Sequence, residues 1–247
     1  MLDARSLKSS FNLKHFIKTV VYKNNFYKLH PSYFVPDGLL VFIGAQGSGK
    51  TLSAVNYIYN VMALYPDCIL VTNVELKKFP IDGKRVFWFN DSDDLKKYNN
   101  GEKGVLFFID EIQIYLNSLE SKNISMEVIT EISQQRKQRK HIVSTSQVFG
   151  RLAKPLREQF NIVCVCRCFF GLFQYNRYIK QEDSKTDSDS MHIEGKPFKV
   201  EYYFHRPAFY ARYDTYAKIE RSNFVDVKGG VSIYDRGNST AGASDSD

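Results

Sequence analysis

The sequence predicts an α/β fold: a mostly parallel β-sheet with helices on both faces, extended at its C-terminal end by a β-hairpin. Three observations carry this. Short apolar runs alternate with helical periodicity through residues 37–170. A glycine-rich segment, Gly44 to Thr51, joins the first apolar run to the first helical stretch. Another apolar run, Val105-Leu106-Phe107-Phe108-Ile109, ends in Asp110-Glu111.

The 247 residues are 43% hydrophobic and 25% charged, which excludes a mainly disordered chain and leaves ample side chain for a core. A net charge of +7 suits an anionic partner without naming one. Asp3 and Arg5 stand at the start with no apolar stretch behind them, so no secretory signal is expected. No run approaches the roughly 18 apolar residues of a membrane span, and Ile162–Phe173 is interrupted by Arg167. Cys164, Cys166 and Cys168 alternate along one strand face, which is not the C-x₂-C spacing of a zinc site. Buried, reduced thiols in a reducing compartment are expected instead.

Taken in order, residues 1–36 are a basic leader, with Arg5, Lys8, Lys14, Lys18, Lys23 and Lys28 against Asp3. Leu13, Phe16, Ile17, Val20 and Val21 fall on one face of an amphipathic helix. That face is expected to pack on the core; contact of the basic side with nucleic acid or a membrane surface is the alternative. The core is expected over 37–180, with main strands at Leu39–Ile43, Cys68–Thr72, Val105–Ile109, His141–Ser146 and Ile162–Arg167. Val86–Phe89 reads as a short extra strand. Helices are expected at Thr51–Tyr65, stopped by Pro66, and near 125–138 and 149–159. Residues 181–191 are polar and read as a mobile loop inside a long hairpin, because Phe198–Phe204 resumes strand alternation. The β-rich extension is placed at 192–237, and the small, polar, acidic tail 238–247 is expected to be disordered.

Gly44-Ala45-Gln46-Gly47-Ser48-Gly49-Lys50-Thr51 fits G-x₄-G-K-[ST], the Walker A phosphate loop. Its glycines let backbone N–H groups converge on phosphate oxygens. Lys50 supplies charge at the β/γ-phosphates, Thr51 offers a hydroxyl to Mg²⁺, and the helix that starts there points its positive end at the same anion. The loop sits between a strand and a helix, as that mechanism requires. Asp110-Glu111 at the end of a buried strand is the Walker B arrangement: Asp110 would hold Mg²⁺, and Glu111 would orient and deprotonate the attacking water. ATP and Mg²⁺ are therefore the expected ligands.

P-loop ATPases with a Glu beside the Walker B Asp carry an extra strand between the Walker A and Walker B strands. Resemblance to them implies the order 5-1-4-3-2 for the five main strands. It also implies a polar residue at the tip of the fourth that contacts the γ-phosphate or the water. Gln147 holds that place by order and type; an uninvolved loop residue is the other reading. Arg136, Lys137, Arg139, Lys140, Arg151, Lys154 and Arg157 form a basic tract with three readings: a solvated face, contacts to DNA phosphates, or an arginine finger reaching a neighbour's ATP.

Beyond these motifs the chain resembles the zonular-occludens-toxin-like ATPases, which include the filamentous-phage assembly ATPases, within the FtsK–HerA class of DNA motors. Val71-Thr72-Asn73-Val74-Glu75-Leu76 is similar to a strand of that family. Arg136 lies eleven residues before Gln147 and Arg157 ten after it, which resembles the family spacing. Arg167 and the late Tyr213-Asp214-Thr215 also match, so the resemblance spans about residues 37–217. It implies a homo-oligomeric ring, with Arg136 or Arg157 as the catalytic finger. It also implies DNA, single- or double-stranded, as a partner, together with viral coat or membrane assembly proteins. Many relatives carry a transmembrane helix after the ATPase domain; none is read here. A cytoplasmic location in a host cell, or a peripheral one at the membrane through a partner, is expected. The implied function is an ATPase of virus or prophage assembly that couples ATP turnover to DNA packaging or extrusion. The alternatives are a plasmid-transfer or partition motor moving DNA, and a nucleotide-gated scaffold that binds coat or membrane proteins without pumping.

Overall fold

The computed structural model of the chain describes residues 13–35, 38–81, 83–116, 126–183, 185–186 and 193–213. Most of the polar loop 181–191, the extension after 213, Asp214-Thr215 and the tail 238–247 lie outside the described residues.

Eight strands form the main sheet. They are β1 (Leu39–Ile43), β2 (Ile69–Thr72), β3 (Val86–Trp88), β4 (Val105–Ile109), β5 (Lys140–Ser146), β6 (Ile162–Phe169), β7 (Phe173–Lys180) and, after the small pair β8 (Lys185–Thr186) and β9 (Ile193–Glu194), β10 (Lys199–Phe204). Their spatial order is β10-β7-β6-β1-β5-β4-β2-β3. The six strands from β6 to β3 are parallel, and β7 and β10 add antiparallel to the β6 edge. Among the five main strands this is the order 5-1-4-3-2 that the Glu beside the Walker B Asp implied.

Period-two alternation divides each central strand between two cores. Leu39, Val41 and Ile43 of β1 join Val105, Phe107 and Ile109 of β4 on one face. Leu40, Phe42, Leu106 and Phe108 point to the other, where α2 (Lys50–Leu64) lays Leu52, Val55, Ile58 and Met62 on the sheet. The first face is covered by α4 (Met126–Gln134), through Val128 and Ile132, and by Leu156 of α5 (Lys154–Arg157). α3 (Asp94–Lys97) contributes Leu95 to the same side. The helix expected over 149–159 is two pieces, a 3₁₀ turn at Phe149–Arg151 and α5, because Pro155 sets a new helix start. Cys164 and Cys166 lie in the α2-side core, while Cys168 is half-buried.

The leader helix α1 (Leu13–Leu29) corrects one expectation. Its apolar stripe does not pack on the core: Phe16, Ile17, Val20 and Val21 are about half exposed. The chain regains the core only at Phe34, which is buried beside Gly104, with Arg139 stacked over the ring of Tyr33 at 3.6 Å. After β10, the short helix α6 (Pro207–Tyr210) returns over α2. There Arg212 donates to Asn56 at 2.8 Å and lies 3.5 Å over the Tyr59 ring, and Tyr213 is buried.

Candidate functional site

β1 delivers the loop Gly44–Gly49 to the carboxyl edge of the sheet, and α2 begins at Lys50. Gly47 and Gly49 hold φ of 77° and 75°, a left-handed backbone that glycine adopts without penalty. Gly49 is also closed in: a Cβ there would lie 2.0 Å from Oε1 of Gln174. Lys50 is buried at the helix start, and its Nζ donates to the Ala45 carbonyl at 3.1 Å, which holds the ammonium against the loop. The Ser48 hydroxyl is buried with no hydrogen-bond partner among the described residues.

Asp110 follows β4 two strands away, yet its carboxylate reaches the loop. Oδ1 accepts from the hydroxyl of Thr51 at 3.0 Å and from that of Thr145 at 2.6 Å. Asn73, just after β2, clamps the Asp110 backbone: its Nδ2 donates to the carbonyl at 2.9 Å, and its Oδ1 accepts from the amide at 2.8 Å. Burial pushes the Asp110 carboxyl up to about 6; the nearby Glu111 charge adds to this, and the hydrogen bonds from Thr145 and Thr51 and the charge of Lys50 oppose it.

Glu111 has a left-handed backbone at φ 50°, and its amide donates to the Thr145 hydroxyl at 2.9 Å. The carboxylate takes two amide donors. Gln147, after β5, donates to Oε1 at 3.3 Å, and Gln113 donates to Oε2. Lys50, Thr51, Asp110, Glu111 and Gln147 thus gather at one edge of the sheet, as parallel strands with crossovers bring loop residues together.

The basic tract does not gather there. Arg136 and Lys137 are exposed and precede β5, whereas Gln147 follows it, so the length of that strand separates them from the loop. Arg157 ends α5 near Asn161, whose amide pairs with Leu39 at the start of β1, again at the far edge. Two members of the tract have structural partners. Lys140 is buried, pairs with Glu131 and donates to the Leu95 carbonyl at 2.8 Å. Arg139 stacks on Tyr33 and donates to the Phe34 carbonyl at 3.2 Å. Burial and the Glu131 carboxylate take up the charge of Lys140, and Arg139, half-buried, is held by Tyr33 and the Phe34 carbonyl.

The sequence reading missed the support behind the loop. Gln174 and Asn176 of β7 are fully buried. Gln174 Nε2 donates to the Ser48 carbonyl at 3.0 Å and to Asn176 Oδ1 at 2.8 Å; Asn176 bonds Ser53 of α2; Gln174 Oε1 pairs with His205 Nε2 at 3.1 Å. Sequence carried one signal, two amides at period two in a strand, but the intervening Phe173 and Tyr175 pointed to the opposite inward face. We expect Gly49→Ala to weaken ATP binding. The left-handed backbone alone costs an alanine about 1–2 kcal/mol, and the new Cβ would collide with Gln174. Calorimetric titration with a slowly hydrolysed ATP analogue should show a lower affinity as the loop shifts off Gln174, and the melting temperature should fall because the strain is a cost to the folded state.

A family model described as zonular occludens toxin (Zot) matches residues 39–218. The curated proteins yield no match. Among solved structures, the N-terminal domain of zonular occludens toxin from Neisseria meningitidis is similar at 17% identity and a TM-score of 0.49, covering 72% of this chain and 98% of that one. The genome packaging NTPase B204 from Sulfolobus turreted icosahedral virus 2, in complex with ATP-gammaS, is similar at 14% identity and a TM-score of 0.44, covering 66% of this chain and 99% of that one. Among the described residues no helix is long and apolar enough to cross a membrane.

Proposed function

The chain belongs to the zonular occludens toxin (Zot) family, and from that premise we propose a Mg²⁺-dependent ATPase of virus or prophage assembly, coupling ATP hydrolysis to DNA packaging or extrusion. One observation carries the nucleotide part: Thr51, next to the loop lysine, and Asp110 after β4 meet at 3.0 Å, with Glu111 and Gln147 beside them.

The backbone N–H groups of Gly44–Thr51 and the ammonium of Lys50 hold the β/γ-phosphates. The Thr51 hydroxyl and Asp110 carboxylate are hard oxygen donors, and a buried carboxylate whose charged form is disfavoured by desolvation suits a cation; these two would hold Mg²⁺. When bound, the ion would supply neutralisation of the phosphate charge. Glu111 accepts a proton from the water that attacks the γ-phosphorus in line. Gln147 keeps the Glu111 carboxylate turned toward that water, and Lys50 offsets charge on the leaving diphosphate.

Arg136 and Arg157 lie far from the site of their own chain, so a finger role for either operates in trans, in a homo-oligomeric ring. Arg136→Ala or Arg157→Ala is expected to keep ATP binding and lose turnover. Mixing the finger variant with wild-type subunits should partly restore turnover at the variant's intact Walker site. Unchanged turnover in both variants would remove them from the mechanism.

The DNA part is tested by the steady-state ATPase rate with no DNA, with single-stranded DNA and with duplex. Stimulation by DNA supports a motor. ATP turnover indifferent to both forms would favour a nucleotide-gated scaffold that binds assembly proteins.

A further inference from the structure

β7 and β10 place two amides on their inner face, beside Tyr178 and Tyr203, and a row of rings on their outer face. Inward lie the amides Gln174 and Asn176 that support the loop. Outward, the register sets Phe169, Phe173 and Phe204 in one row across β6, β7 and β10, and Arg167, Tyr175 and Tyr202 in the next. A third row puts Arg177 between two valines. The rings touch: Phe173 lies 5.2 Å from Phe204, 6.3 Å from Phe169 and 6.5 Å from Tyr202, centroid to centroid. They are also wet, with Phe169 44%, Phe204 68% and Tyr202 71% exposed. The turn beyond the first row adds Phe170, 97% exposed.

An open cluster of rings this size on a folded chain marks an interaction surface. Its charge says which kind. Arg167 and Arg177 stand among the rings, and among the described residues neither has a carboxylate partner. The one acid of β10, Glu201, points to the opposite face, where its carboxylate accepts from Tyr178. Two guanidiniums without a carboxylate partner among the described residues make the face cationic, which suits an anionic occupant. Unpaired bases stack on aromatic faces while arginines meet the phosphates, and a duplex keeps its base faces stacked on one another and out of reach of such rings.

We propose that the outer face of β6, β7 and β10 is a stacking platform for single-stranded DNA. The choice of DNA rests on the proposed function; the platform itself is separate from the nucleotide site. The two are mechanically joined. β1 ends where Ile43 pairs with Val165, so residues 166–169 overhang the sheet on the loop side, and Gln174 ties the back of the platform to Ser48. The strand that carries Phe173 and Tyr175 outward thus bonds the phosphate loop through the side chain of Gln174 on its inner face.

The test is fluorescence anisotropy with the full chain and a labelled oligothymidine of about 20 nucleotides, against the same length of duplex, over a salt series. The single strand is expected to bind more tightly. Tyr202→Ala and Phe204→Ala should each weaken it roughly 5- to 150-fold, the range of one lost stacking contact. Tyr202→Phe and Phe204→Tyr, which keep the ring, should bind like wild type, which a merely structural role for the exposed edge would not require. Arg177→Ala should flatten the salt slope by about 0.7. Circular dichroism checks the fold, and light scattering the mass. Unchanged single-strand affinity in both alanine variants overturns the platform. So does equal or tighter binding of duplex. A fall in oligomer mass at unchanged DNA affinity overturns it as well, and assigns the face to a second copy. ATP turnover without DNA is read on the same samples. Wild type that binds single strands through the face but turns over no ATP would sink the ATPase reading and leave the platform standing, and the reverse result would do the opposite.

Discussion

Lys50→Ala leaves a folded chain that no longer turns over ATP. The lysine is buried at the head of α2, and among the described residues its ammonium donates to the Ala45 carbonyl of its own loop at 3.1 Å, so its removal breaks no hydrogen bond to the sheet; the Asp110 carboxyl, which loses a nearby positive charge, keeps its bonds from Thr51 and Thr145. What is lost is a charge-assisted contact to phosphate, worth about 1.5–3 kcal/mol or roughly 10- to 150-fold in ATP affinity, and with it the offset of charge that develops as the γ-phosphate leaves. Circular dichroism should match wild type while phosphate release falls to background. A Lys50→Ala protein that hydrolyses ATP at the parent rate would remove the Walker A reading.

Glu111→Gln separates binding from chemistry. The amide keeps the size of the carboxylate but cannot take a proton from water, so ATP should still bind while turnover falls by roughly 10²-fold or more. The geometry adds a second effect in the same direction. Gln113 and Gln147 both donate to the Glu111 carboxylate, and a glutamine offers only one acceptor oxygen, so one of these donors loses its partner. Turnover measured at saturating ATP, beside equilibrium binding, distinguishes the outcomes. Loss of binding would make Glu111 a structural or metal-holding residue.

How far the sequence carried depended on whether the signal was local. The parallel core was legible because β1 and β4 are short apolar runs whose alternate residues feed two cores. The nucleotide loop was legible because its chemistry needs glycine, lysine and threonine at fixed steps. The strand order came from the resemblance to P-loop ATPases that Glu111 beside Asp110 carries, and not from periodicity. Three features were hidden, each for a long-range reason. The apolar stripe of α1 promised a packed helix, yet periodicity says which residues share a face and not whether a partner surface exists to meet it. Arg139 and Lys140 were indistinguishable from Arg136 in a basic run, because the ring of Tyr33 and the carboxylate of Glu131 that occupy them come from elsewhere in the chain. In β7 hydrophobicity pointed the wrong way. Gln174 and Asn176 are inside because the Ser48 carbonyl and the Ser53 hydroxyl need donors there, which no local pattern records.

The central claim is that Lys50, Thr51, Asp110 and Glu111 form one hydrolytic site. Phosphate release by the wild-type chain, followed at saturating ATP with and without Mg²⁺, is the deciding measurement. Steady turnover is expected that stops when the metal is chelated and is absent from Glu111→Gln run in parallel. Turnover that persists in both the chelated and the Glu111→Gln samples, or a wild-type rate no higher than theirs, would contradict it.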